Sequence, residues 1–170
     1  MQSVSMILRV LAIATIGLGN APAFAHEAMD GEMHGATEHR GDALPFGMPG
    51  DPKRVTRTVR ITATEIAFDV KKLDFRKDET VRFIFVNKGE QPHEFMIADA
   101  AEQEEHRQMM QNMAGMAMAS MGHNDPNTVS ADPGETKELV WTFSKAGSFE
   151  FACNYPGHAE VGMTGPLTVK

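Results

Sequence analysis

Residues 151–163 read FACNYPGHAEVGM, and they hold the single cysteine of a 170-residue chain. Phe149, Phe151 and Cys153 alternate with smaller or polar residues, the period of a half-buried strand, so the sulfur of Cys153 is placed inward at a strand end. Taken alone, a sulfur so placed is an inert core thiol. The residues that follow change that reading. Tyr155-Pro156-Gly157 is a turn, His158 stands on it, and the Gly162-Met163-Thr164-Gly165 stretch brings a thioether back toward the same point. A loop of this length can fold thiolate, imidazole and thioether around one centre.

The same alternation runs through the body of the chain, which is expected to begin near Lys53 and to run to residue 170. Val55, Val59 and Ile61 form one inward set, followed by Val81, Phe83 and Phe85, and then by Leu139, Trp141 and Phe143. Turn signals fall at Asn87-Lys88-Gly89, Asp132-Pro133-Gly134, Lys145-Ala146-Gly147 and Gly165-Pro166. About seven or eight short strands so spaced predict an all-β, Greek-key β-sandwich. Within it, NKGEQPHEFMIAD (87–99) puts His93 where a strand restarts after the turn, with Pro92 stiffening the approach. By itself His93 reads as an ordinary histidine. Joined to the Cys-x4-His-x4-Met spacing of 153, 158 and 163, it completes two imidazoles, a thiolate and a weak axial thioether, the ligand set of blue-copper electron-transfer sites. Copper(I) and copper(II) prefer different coordination, so a rigid site between the two preferences lets both states share one geometry.

Over about residues 53 to 170 the chain resembles the cupredoxins, most specifically in HEF (93–95) and CNYPGHAEVGM (153–163). The Cys-x4-His-x4-Met spacing is similar to that of rusticyanin and auracyanin, plastocyanin having a shorter Cys-to-His loop. The resemblance implies copper as cofactor, with His93, Cys153 and His158 as trigonal ligands and Met163 as the axial one. Trp141 in LVWTF and the preceding PGETKEL run fit the same family's core. One departure stands at Glu94, where many members carry Asn or Asp at the position that ties the two ligand loops together.

The N-terminus follows different rules. Arg9, the apolar run Val10 to Leu18 and the small-residue site Ala23-Phe24-Ala25 have the layout of a secretory signal peptide over residues 1–25, so the mature chain is expected to start at His26 in the periplasm, with no membrane insertion after cleavage. In an oxidising compartment a lone Cys153 makes no internal disulfide, which leaves burial, pairing between chains or a metal. The formal charge of −7 becomes about −8 once Arg9 is removed, which disfavours nucleic acid as a partner. Residues 26–52 mix Gly31, Gly35, Gly41, Gly47 and Gly50 with Pro45, Pro49 and Pro52, and are expected to form a disordered or loosely docked tail.

Methionine sets this chain apart from a plain electron carrier. Six of its 13 methionines lie in HRQMMQNMAGMAMASMGH (106–123), inside an expected short Met-rich helical insertion over 99–123. Asp99 with Glu102 makes a capping box, and His106, Met109, Met110 and Met113 follow at i, i+3, i+4 and i+7 on one helix face, with Gly115 expected to end or loosen the helix. A core stripe that uses Met as gap filler would look the same. No Leu, Ile, Val or Phe occurs from Ala98 through Thr128, however, so thioethers are the only large apolar groups there. Met116, Met118, Met121 and His123 extend the donor set. HEAMDGEMHGATEHR (26–40) offers His26, Met29, Met33, His34 and His39 as further accessory copper candidates, against the plainer reading of a solvated leader.

With a type 1 centre, these segments resemble the periplasmic copper-tolerance cupredoxins of the CopI type. The resemblance implies copper handling and tolerance, with copper ions and a redox partner protein as partners. The alternative is a soluble electron-transfer shuttle between redox partners, its Met-rich loop serving as a docking surface. An enzyme reading has no support here: a metal-bound thiolate is a poor nucleophile, and the His-x-His pairs of multicopper enzymes are absent.

Overall fold

The computed structural model describes residues 43–113 and 125–170. The signal segment 1–25, the accessory candidates His26, Met29, Met33, His34 and His39, and also Gly115, Met116, Met118, Met121 and His123, lie outside the described residues. Among the described residues no helix is long and apolar enough to cross a membrane.

Among the described residues ten strands, more than the seven or eight expected, form the two sheets of the β-sandwich that the alternation predicted. The first sheet holds β1 (Gly47–Pro49), β2 (Arg57–Thr64), β3 (Ala67–Phe68), β5 (Thr80–Asn87) and β8 (Thr136–Phe143), in the order β1-β8-β5-β2-β3. β2 runs parallel to β5, with Ile61 opposite Phe85, and β5 runs antiparallel to β8, with Val81 opposite Trp141. The second sheet holds β4 (Leu73–Phe75), β6 (His93–Ala98), β7 (Thr128–Ala131), β9 (Gly147–Ala152) and β10 (Thr164–Val169), in the order β4-β10-β9-β6-β7. Its centre is the antiparallel pair β6 and β9, with Met96 opposite Ala152 and Ile97 opposite Phe151. An α-helix, α1 (Ala100–Asn112), follows β6.

Aromatic and β-branched side chains from the inner faces fill the space between the sheets. Phe95 of β6 is central to this layer: its ring lies 5.2 Å from Phe83, 5.9 Å from Phe68 and 5.9 Å from Phe151, centroid to centroid. Such tilted and edge-on pairs add to the area that they bury. They also fix β6 in register two residues beyond His93.

Three features differ from the sequence reading. The sandwich begins before Lys53: Gly47, Met48 and Pro49 pair with Phe143, Thr142 and Trp141, and Phe46 is buried against Trp141 and Phe149, with ring centroids 5.4 and 5.1 Å away. A three-residue strand bounded by Pro and Gly is too short to show a period, so one aromatic anchor is its whole signal. Gly165-Pro166 is not a turn but part of β10, where a Cβ on Gly165 would collide with the Phe151 ring and meet Lys71 O at 3.0 Å. Close approach of the Phe151 ring, and not chain reversal, accounts for this glycine. The capping box is half made. Asp99 Oδ1 accepts from the Ala101 and Glu102 amides at 3.0 Å each, while Glu102 Oε1 takes the Asn127 side-chain amide at 3.2 Å.

Phe46→Ala should therefore cost about 3–5 kcal/mol of stability, the range for deleting a buried aromatic ring. Urea denaturation of the metal-free protein measures it. A loss within about 0.5 kcal/mol, typical of surface positions, would return this segment to the status of a loose arm.

Candidate metal centre

The pairing of β6 with β9 places the start of one strand beside the end of the other, and both ends carry a donor. His93 opens β6, and Cys153 follows β9 directly. Asn87 organises the turn before His93: its side-chain amide donates to Gln91 O at 2.7 Å and Ala131 O at 3.0 Å, and its Oδ1 accepts the Gly89 amide at 2.8 Å. Beyond Cys153 the loop closes on itself. Cys153 N donates to Met163 O at 3.0 Å, Met163 N donates to His158 O at 3.0 Å, and His158 N donates to Tyr155 O at 2.9 Å. Gly157 and Gly162, at φ +88° and +98°, supply the left-handed conformations that this tight course requires.

Three donor atoms meet as a result. Cys153 Sγ lies 3.3 Å from His158 Nδ1 and 3.9 Å from His93 Nδ1, and one ligand atom from each residue falls within 4.8 Å of the others. The two imidazole rings are 5.0 Å apart, and all three residues are buried. Met163 is fully buried as well, with its main chain bonded to both neighbours of the cluster. Two imidazole nitrogens and one thiol, converging without a carboxylate among them, suit a soft or borderline metal such as copper and not magnesium or calcium.

Electrostatics prepares the donors unequally. Burial, and then the neighbouring His158, push His93 down to about 4, and burial also lowers His158, so both rings are neutral and able to ligate at neutral pH. Burial, then the Glu94 charge, push the Cys153 thiol up to about 12, against the opposing pull of the Glu94 and Tyr155 backbone amides. A metal must therefore displace the thiol proton.

Glu94 makes the inter-loop tie in its own way. Its amide donates to Cys153 Sγ at 3.4 Å, and its Oε1 accepts the Asn154 amide at 2.9 Å, so one residue holds both sides of the thiolate position. Asn154 is the partner that sequence reasoning missed. Its side-chain amide donates to Gln103 Oε1 at 2.8 Å and to Met96 Sδ at 3.4 Å, while its Oδ1 accepts from Arg107 Nη1 at 3.4 Å. Gln111 Nε2 of α1 donates to Glu160 Oε1 at 2.9 Å across the same loop. A polar residue directly after the lone cysteine was the available signal, but nothing local says what it meets.

The Met/His face of α1 divides in the structure. Gln103, His106 and Met110 are its buried residues, Met113 is half-buried at the C-cap, and Met109 is exposed. His106 Nε2 lies 3.3 Å from Glu94 Oε1, and Nδ1 lies 3.3 Å from Asp125 Oδ2, so both ring nitrogens face carboxylates. The i, i+3, i+4, i+7 stripe thus points one sulfur inward and another outward.

The sequence pattern of the family described as copper binding proteins, plastocyanin/azurin family, matches residues 55–170. The chain belongs to that family. It is a copper-binding, cupredoxin-like protein with copper as its cofactor, and the His93, Cys153 and His158 cluster is its potential metal site. It is 41% identical over 167 residues to a protein of Rubrivivax gelatinosus named copper-resistant cuproprotein CopI, covering 95% of this chain and 98% of that one. A protein of the same name from Pseudomonas aeruginosa is 36% identical over 166 residues, covering 82% of this chain and 92% of the other. Among solved structures, auracyanin from Roseiflexus castenholzii superposes with a TM-score of 0.56 at 23% identity, over 68% of this chain and 98% of that one. At that identity the likeness supports the cupredoxin fold alone.

Copper uptake by the metal-free protein at pH 7 should release about one proton per copper, from Cys153, because the imidazoles are already neutral. The apparent affinity should rise with pH by about tenfold per unit through the neutral range, since the thiol stays protonated throughout it. Titration in weakly buffered solution reads the proton directly, with Cys153→Ser releasing none. Two or more protons per copper would mean that the histidines are charged beforehand.

Proposed function

We propose that this chain is an exported periplasmic copper-tolerance protein that binds copper at a His93, Cys153, His158 and Met163 centre, where one electron is exchanged, and gathers further copper on Met/His segments. The reading is carried by the buried cluster of two imidazole nitrogens and one thiol within 4.8 Å. Likeness over 95% and 82% of the chain to two proteins named copper-resistant cuproprotein supports the tolerance role.

The protein's own residues would do four things. Cys153 would yield its proton and furnish a covalent thiolate, held by the Glu94 amide. His93 and His158 would ligate through Nδ1, the atom that each turns toward the sulfur. Met163 would add a weak thioether donor, its main chain held by backbone bonds to Cys153 and His158. The two sheets would hold these donors still, so that little moves between oxidation states. When bound, copper supplies reversible one-electron chemistry and long-wavelength absorption of its thiolate bond.

On the accessory side, Met109 is the exposed thioether of α1, next in sequence to the buried Met110. With Met113, Met116, Met118 and Met121 it would capture copper(I), to which soft thioethers are matched, while His26, Met29, Met33, His34, His39 and His123 would accept either state. His106 is the weakest of these candidates, because its two nitrogens face Glu94 and Asp125. The shuttle reading differs in one respect: the Met-rich segment would then be a docking surface and hold no metal.

Replacing Met109, Met110, Met113, Met116, Met118 and Met121 together by Leu keeps apolar volume and helix propensity while deleting the soft donors. Copper(I) stoichiometry and cellular copper tolerance should both fall, with the visible spectrum of the primary centre retained. Unchanged stoichiometry and tolerance, with slower electron transfer to a partner, would favour the shuttle instead. Separately, Met163→Leu should retain copper and raise the reduction potential, by removing a donor that favours copper(II). Complete loss of copper would make Met163 a principal ligand, and an unchanged potential would remove it from the centre.

A further inference from the structure

A buried carboxylate beside a metal centre needs a reason. Glu94 is fully buried, follows His93 in sequence and accepts the Asn154 amide through Oε1. Its own amide donates to Cys153 Sγ at 3.4 Å, so the carboxylate belongs to the residue that touches the sulfur. Left unpaired, a carboxylate in such a place would be costly. It is not left alone: His106, itself buried, comes from α1 to lie 3.3 Å from Oε1 and 3.4 Å from Oε2. The opposite nitrogen of the same ring lies 3.3 Å from Asp125 Oδ2.

An imidazole whose two nitrogens both face carboxylate oxygens satisfies them by donating from both, which is the imidazolium form. Burial works against that charge, but hydrogen bonds and attraction from Asp125 and Glu94 outweigh it and raise His106 to about 9. Glu102 of α1 faces the same ring from its own helix, and its carboxyl is pushed up to about 7 by burial, then by Asp99. Among the described residues, Glu94 of β6, Asp125 ahead of β7 and Glu102 of α1 are acidic groups gathered about this cation.

We propose that His106 is a positioning residue of the copper centre: its cation holds the Glu94 carboxylate in place against Asn154 and cancels that carboxylate's charge at the Cys153 sulfur, keeping the reduction potential high. The proposal rests on copper occupying the His93, Cys153 and His158 cluster. The physical sense of the effect follows from charge. A negative group felt at the thiolate favours copper(II), and a cation on its far side offsets the preference. Removing only the cation should therefore lower the potential, and removing both charges should restore it. Buried pairs of this kind show such asymmetry because breaking one leaves an uncompensated charge, whereas replacing both partners does not.

The test is a double-substitution cycle in the mature copper-loaded protein at pH 8, with the wild type first shown to bind copper and give its thiolate band. His106→Gln should keep the copper and favour copper(II) by about tenfold or more, a fall of about 59 mV or more for one electron. Adding Glu94→Gln to that variant should return the potential most of the way to the wild-type value. An unchanged potential in His106→Gln with copper retained, or no recovery in the double variant, overturns the proposal. Should His106→Gln fail to fold, the metal-free wild type still decides: nitrogen NMR should find both His106 ring nitrogens protonated at pH 8, and a neutral ring overturns the assignment. A wild type that takes up copper without a thiolate band would instead sink the metal-site reading on which the proposal stands.

Discussion

The antiparallel pairing of β6 with β9 in the interior of the second sheet is the constraint from which the centre follows. With Met96 set opposite Ala152 and Ile97 opposite Phe151, the first residue of β6 and the residue just past β9 must share one end of the sandwich. Phe95 and Phe151 enforce this register, since their rings fill the layer between the sheets and a one-residue slip would turn both toward the outer face. The donors are thus held by the aromatic core as much as by the loop that carries two of them. A site built in this way can remain close to one geometry whatever its charge state.

Such burial creates an obligation for every polar atom around it. Asn87, Glu94, Gln103, Asn127 and Asn154 are all buried, and each meets at least one backbone or side-chain partner. Many of those partners lie on α1 or on the segments flanking it. The helix therefore acts as a polar lid fastened to the loop after Cys153, through Arg107, Gln103 and Gln111, as well as a carrier of thioethers. Its sparse apolar face explains the choice: Met110 alone among its large apolar side chains is fully buried, so hydrogen bonds must supply much of the docking specificity.

This arrangement joins two chemistries within one small fold. The enclosed donors favour a metal held rigidly and desolvated, while Met109 lies in the open on the helix that roofs them. In the copper-tolerance reading the roof and the centre serve one purpose, and the charged pair Glu94 and His106 is the mechanical and electrostatic link between them. Because α1 supplies one partner and β6 the other, movement of the helix would alter the surroundings of the thiolate without touching a ligand.

Short-range patterns were legible from the sequence because strand alternation and ligand spacing are local properties. Period-two runs marked the longer strands, and the cysteine and two histidines at their spacings marked the potential metal site where they are seen side by side. The β1 segment escaped notice because three residues carry no period, and its membership depends on Phe46 finding Trp141 and Phe149 far along the chain. Gly165 looked like a turn because a glycine records that space is short, without recording whether a bend or a neighbouring ring makes it so. Glu94 stood out in the sequence only as a departure from its family. Tertiary structure alone decided what the departure means, since His106 and Asn154 lie 12 and 60 residues away, and hydrogen bonds between residues so separated depend on packing that no local pattern encodes.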